Sequence, residues 1–190
     1  MRLRASSSKW IFGRCPDARL GATAAQVGEK YGARGILVDT NVLLLYLFGK
    51  LLPSAIGQKR LSKYGIEDAD LISQFVGRFG QILTTQHVLA ETSNLARQIV
   101  GGGFRHEMSL RLHPLFCLET PGSLKSCHVD GPAISADLFA RLGLTDAGLI
   151  TLVQTNTLLL TDDLDLYISA VSTGGDAINF THMREAAGTV

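Results

Sequence analysis

Short apolar runs alternate with helical stretches along the 190 residues, which predicts one α/β domain with a mostly parallel sheet. Two further observations support that class. A hydrophobic content of 46% is enough to build a sizeable core. The run Ile36-Leu37-Val38 stops abruptly at Asp39 and passes at once into an apolar helical stretch, Val42 to Phe48. A strand that ends in a carboxylate and turns straight into a helix places that carboxylate at the carboxyl edge of a parallel sheet, where open α/β folds bind ligands.

Residues 1–34 differ from the rest of the chain. They carry seven Lys/Arg against two acids, a balance of +5, whereas the remaining eleven against fifteen gives −4. The body is therefore no general polyanion binder, and any nucleic-acid contact has to come from local patches. The segment is rich in Arg, Ser, Ala and Gly, without sustained apolar periodicity and without the apolar centre of a secretory signal. It reads as a basic, loosely ordered arm with one short helix around Ala22–Tyr31; an organelle transit segment has the same composition. The expected domain spans 35–183, followed by a tail over 184–190. No apolar run approaches membrane length, and Cys15, Cys117 and Cys127 are odd in number and widely spaced. A soluble cytoplasmic protein with reduced thiols is expected.

At Asp39, either the side chain merely caps the helix or it belongs to a site, with Thr40 and Asn41 as further capping candidates. Gly49–Gly65 holds Lys50, Lys59, Arg60 and Lys63 with no acid, and is either a solvated connection or a loop that holds phosphates. Gly49-Lys50 lacks the rest of a nucleotide-binding loop. Glu67 to Phe79 has helical spacing, with acids in its first turn. Gln81–Thr84 reads as a strand, and Thr84 or Thr85 caps a helix over Gln86–Val100. Glu91 borders the apolar stripe of that helix, which calls for a cation or a donor beside it; Asn94, one turn on, is the candidate donor. Alternatively Glu91 points to water.

Gly101-Gly102-Gly103 ends this helix, and Glu107–Cys117 forms another, broken or kinked at Pro114. No pair among His106, His113, Cys117, Cys127 and His128 has the spacing of a structural zinc site. Pro121–Pro132 reads as loop. Ser135–Leu142 is a short helix ending at Gly143, and a second begins near Thr145 with Asp146 in its first turn. Thr157–Leu160 is a buried strand running into Thr161-Asp162-Asp163. A helix over Leu166–Val171 and a strand over Ala177–Phe180 complete the chain.

Asp39, Glu91, Asp146 and Asp163 can thus converge on one sheet edge in a right-handed βαβ arrangement. Four crowded carboxylates cannot all stay ionised without a cation. Hard oxygen donors suit Mg²⁺ or Mn²⁺, which activate water and stabilise a leaving oxygen at phosphorus. Residue chemistry alone therefore reaches metal-dependent hydrolysis of phosphate esters.

V-D-T-N-V-L-L, V-L-A-E-T-S-N-L, L-T-D-A-G-L-I and L-L-T-D-D-L-D-L, in this order, resemble PIN-domain nucleases, most closely the VapC-type toxin ribonucleases. The resemblance covers residues 36 to 180 and leaves out the arm. It implies a three-layer α/β/α sandwich and Mg²⁺- or Mn²⁺-dependent cleavage of single-stranded RNA by water. It also implies a toxin role, with an antitoxin protein and a homodimer as partners. The family's acids fall on Asp39, Glu91, Asp146 and Asp163 as catalytic and metal-binding residues. Thr40, Asn41, Asn94, Thr161 and Asp162 would support them. Asp163 is expected to face the Asp39 cluster, and Asp162 to lie nearer solvent or cap the next helix. Two alternatives remain: a catalytically silent PIN-like module that binds RNA or protein, and a phosphatase like the haloacid dehalogenases. The latter needs a second Asp where Asn41 stands.

Overall fold

Three apolar residues with no exposed face make β1 (Ile36–Val38) the central strand of the protein. The computed structural model describes residues 30–118, 124–153 and 157–189. β1 is flanked by β2 (Ile82–Thr85) and β4 (Leu158–Thr161), with β3 (Lys125–Cys127) and β5 (Asp176–Asn179) outside them. The sheet has five strands in the order β3-β2-β1-β4-β5, and every pairing is parallel. This order reverses direction beside β1, so a crevice opens outside the carboxyl ends of β1 and β4.

Six helices are described: α1 (Thr40–Leu51), α2 (Ile66–Val76), α3 (Gln86–Cys117), α4 (Ala136–Val153), α5 (Leu164–Ser172) and α6 (Phe180–Ala187). α1 is apolar on nearly every side and is buried accordingly, packed against α2 and α3. α4 packs on α5. The architecture is a three-layer α/β/α sandwich, as expected. Each fully buried Val, Leu or Ile contributes about 1.5–3 kcal/mol. The β1 side chains together therefore rival the net stability of a typical domain, about 5–15 kcal/mol.

Glycines break two of the helices. Gly101 has φ 69° and splits α3 after Val100; Gly143 has φ 77° and splits α4 after Leu142. Both are backbone conformations that favour glycine over any other residue. The helix is not broken at Pro114, which lies inside the second segment of α3; the non-helical residue is Gly101.

The structure corrects the sequence reading in three places. Lys125–Cys127, expected as loop, is the edge strand β3, mostly exposed and too polar to show a strand pattern. The domain begins before residue 35, because Tyr31 is fully buried and its hydroxyl donates to Asp176. The expected helix around Ala22–Tyr31 lies outside the described residues except for Lys30 and Tyr31, which are helical. Residues 184–187, assigned to a tail, complete α6.

The buried Asp68 on α2 explains why the C-terminus is held. Its Oδ1 accepts from Arg184 Nε at 2.8 Å and Thr189 Oγ1 at 2.9 Å, and its Oδ2 from Gly65 N at 2.8 Å. Losing one partner of a buried pair leaves the other charge uncompensated, at a cost of about 3–5 kcal/mol. Asp68→Ala should therefore lower the unfolding free energy by about 3 kcal/mol, read from the urea midpoint. A midpoint equal to that of the wild type would show that Asp68 does not hold α6.

Candidate functional site at the carboxyl edge of the sheet

Strand register builds the centre of the site. Val38 pairs with Leu160, so the next residues, Asp39 and Thr161, sit side by side at the ends of β1 and β4. Asp39 is 3% exposed, and both of its oxygens are engaged. Oδ1 accepts from Val42 N at 2.7 Å, which makes Asp39 the N-cap of α1. Oδ2 accepts from the Thr161 hydroxyl and from Asp162 N, the latter at 3.3 Å. The capping and site readings of Asp39 are thus compatible: one oxygen caps, and the residue also lines a cleft of about 280 Å³.

Glu91, Asp146 and Asp163 line the same cleft, each carried by a different element. Glu91 sits in α3, less than two turns past the Thr85 cap, half-buried. The Thr40 hydroxyl donates to Glu91 Oε2 at 3.0 Å. The donor expected beside Glu91 is therefore Thr40 rather than Asn94, which is exposed. Asn41 lines the cleft beside Thr40. Asp146 enters because the chain restarts as a helix after Gly143, with Thr145 and Asp146 in the first turn of the new segment. Asp163 caps α5, its Oδ1 accepting from Leu166 N at 2.9 Å, while its own N–H donates to Thr161 Oγ1 at 3.0 Å.

Helix N-termini therefore meet the cleft from α1, α5 and the second segment of α4, and their dipoles favour negative charge there. That favour is incomplete. Burial, then the nearby Asp162 and Asp146, push the Asp39 carboxyl up to about 7, against the lowering effect of Thr161 and Val42 N. Burial, then Asp163 and Glu91, push Asp146 up to about 6.

Asp162 is placed otherwise than expected. It neither caps α5 nor faces solvent: its side chain is 2% exposed, with Lys63 Nζ 2.5 Å from Oδ2 and the Tyr64 hydroxyl donating to the same oxygen. Its Oδ1 is buried without a partner among the described residues. Desolvation and Asp162 together hold the Tyr64 phenol far above its usual range. Asp163 is exposed, lines the cleft and acts on Asp146, and it takes the capping role assigned to its neighbour.

The donor set fits a hard cation in chemistry: carboxylates, hydroxyls and two acids raised toward neutrality by burial and mutual repulsion. Among the described residues, however, no group of three or more His, Cys, Asp or Glu side chains is arranged to hold a metal ion. Mg²⁺ keeps several of its waters, so a cation here would be held partly through them. Sequence reasoning did not single out Tyr64 as the partner of Asp162. It did flag the basic loop, of which Arg60 reaches the cleft.

A carboxyl raised from 3.8 to about 7 binds its proton more tightly in the folded state. That contribution to stability is full below the unfolded value and is lost as pH rises through about 7. Metal-free protein should therefore melt at progressively lower temperature between about pH 4.5 and about pH 7.5, and Asp39→Asn should flatten that slope. Equal slopes for the two proteins in melts with a chelator would show that Asp39 is not the group responsible.

Comparison of the chain with protein-family models, with curated proteins and with solved structures finds no significant match.

Proposed function

We propose that this chain is a PIN-like, Mg²⁺- or Mn²⁺-dependent endoribonuclease that hydrolyses phosphodiester bonds of single-stranded RNA. The observation that carries the reading is the convergence of Asp39, Glu91, Asp146 and Asp163, from four different elements, on one cleft beside the β1/β4 crevice. In this reading Asp39, Glu91 and Asp146 hold the cation directly or through its waters, and Asp163 completes the set. When bound, a hard divalent cation makes water a better nucleophile and neutralises charge on the phosphate and leaving oxygens. Thr161 fixes the Asp39 rotamer through Oδ2, and Thr40 holds Glu91 toward the cleft. In the hydrolysis a water oxygen joins phosphorus, the bond to the leaving oxygen breaks, and the proton released by water goes to that oxygen.

The resemblance extends the proposal to a toxin role, with an antitoxin protein and a second copy of the chain as partners. Among the described residues no helix is long and apolar enough to cross a membrane. A second reading is favoured by one observation: the acids are not arranged as a group that could hold an ion. On that reading the domain binds RNA without cutting it.

Purified protein incubated with single-stranded RNA and Mn²⁺ distinguishes the two readings. Cleavage by the wild type, reduced about 100-fold or more in Asp39→Asn, supports the nuclease. RNA binding without cleavage supports the silent module. Among nuclease variants, Asp163→Ala should weaken Mn²⁺ affinity more than Asp162→Ala does. Asp162→Ala should instead lower the melting temperature, because it strips Lys63 and Tyr64 of their partner.

A further inference from the structure

The last turn of α1 and the loop that follows it carry four cations, and three of them are tied to the protein. Lys50 Nζ donates to the Tyr46 hydroxyl at 2.5 Å. Lys59 Nζ donates to the carbonyls of Gln98 at 3.1 Å and Ile99 at 2.5 Å, which close the first segment of α3 just before the Gly101 break. A cation suits that helix end. Lys63 pairs with Asp162.

Arg60 is different. It is exposed, lines the cleft, and makes no hydrogen bond or ion pair among the described residues. Four carboxylates share that cleft with it, yet none pairs with it. The loop around Arg60 is nevertheless firmly held, by Lys59 on one side and by Leu61, 1% exposed, on the other. Lys59 has φ 47°, the one non-glycine residue in the left-handed region among those described. Such a backbone persists where surrounding contacts over-determine it, and it gathers at ligand-binding sites. Here it turns the chain so that the ammonium of Lys59 reaches α3 and the next side chain is left for the cleft.

We propose that Arg60 grips a phosphate adjacent to the scissile one. Its planar fork matches two phosphate oxygens at once. The substrate class is then an oligonucleotide with at least two consecutive phosphodiesters, rather than a mononucleotide or a single phosphate ester. This rests on the nuclease reading of the acidic site. A cleft lined by acids repels a polyanion, and a cation beside them offsets that repulsion at one phosphate.

The test compares full-length wild type, Arg60→Gln and Arg60→Lys with Mn²⁺ on a short ribo-oligonucleotide, and on the same oligonucleotide with neutral methylphosphonates flanking the cleaved bond. Arg60→Gln should raise KM roughly tenfold, leave kcat within about threefold and reduce the salt dependence of kcat/KM by about one phosphate contact. Arg60→Lys should recover part of the loss. The methylphosphonate substrate should penalise the wild type and leave Arg60→Gln nearly unchanged. An unaltered KM, or a fall in kcat at constant KM, overturns the assignment while leaving the nuclease standing. If the wild type cuts nothing, the nuclease reading fails. Anisotropy of the labelled oligonucleotide then decides Arg60 alone: weaker binding by Arg60→Gln supports the phosphate contact, and equal binding overturns it. Melting temperatures should match closely across the set, since the Arg60 side chain has no hydrogen bond or ion pair among the described residues to lose.

Discussion

The hydrogen bond from Thr161 to Asp39 joins the ends of two neighbouring strands, and the cleft is arranged around it. It follows from the parallel register of β1 and β4, in which Val38 and Leu160 are partners. A buried carboxylate without donors is expensive. Asp39 meets that demand with one hydroxyl and two backbone N–H groups, and these donors fix three things at once. Val42 N sets the start of α1, Thr161 sets the end of β4, and Asp162 N sets the turn into α5. Shifting Asp39 would disturb two strands and two helices together.

Acids gather here against an electrostatic gradient, and the protein offsets it in two ways. Helix N-termini supply partial positive charge to Asp39, Asp163 and Asp146. Beneath them the buried Asp162 is met by Lys63 and Tyr64. Thus a loop that reads as uniformly basic is divided by the fold. Lys63 stabilises a carboxylate, Lys59 closes a helix segment, and Arg60 stays in the open cleft. Equal formal charges carry unequal roles because burial and reach differ at each position.

The two glycine breaks do comparable work on the helices. Without the left-handed residue at Gly143, Asp146 would lie midway along a continuous helix rather than in its first turn. At Gly101 the break exposes carbonyls of the first segment of α3, two of which are taken by Lys59. Backbone geometry at two positions therefore contributes to the cleft although neither glycine carries any side-chain chemistry.

Much of this was legible locally. A strand ending at Asp39, the helical spacing around Glu91, a helix start at Thr145 and the run into Thr161 are all short-range patterns set by backbone period and capping chemistry. These were enough for the α/β class, the succession of strands and helices along the chain and three acids of the cleft, Asp39, Glu91 and Asp146. The polar strand β3 was not legible, since an exposed edge of three residues acquires its conformation from pairing with β2. Nor could local pattern decide between Asp162 and Asp163. Adjacent side chains leaving a strand diverge, but which direction is buried depends on Lys63 and Tyr64, almost a hundred residues earlier in the chain. Asp68 and Arg184 meet for the same kind of reason. Residue type and spacing determined the elements and their acids; the partner of each buried charge was decided by tertiary packing, because the cost of an unpaired buried charge depends on what the rest of the chain brings beside it.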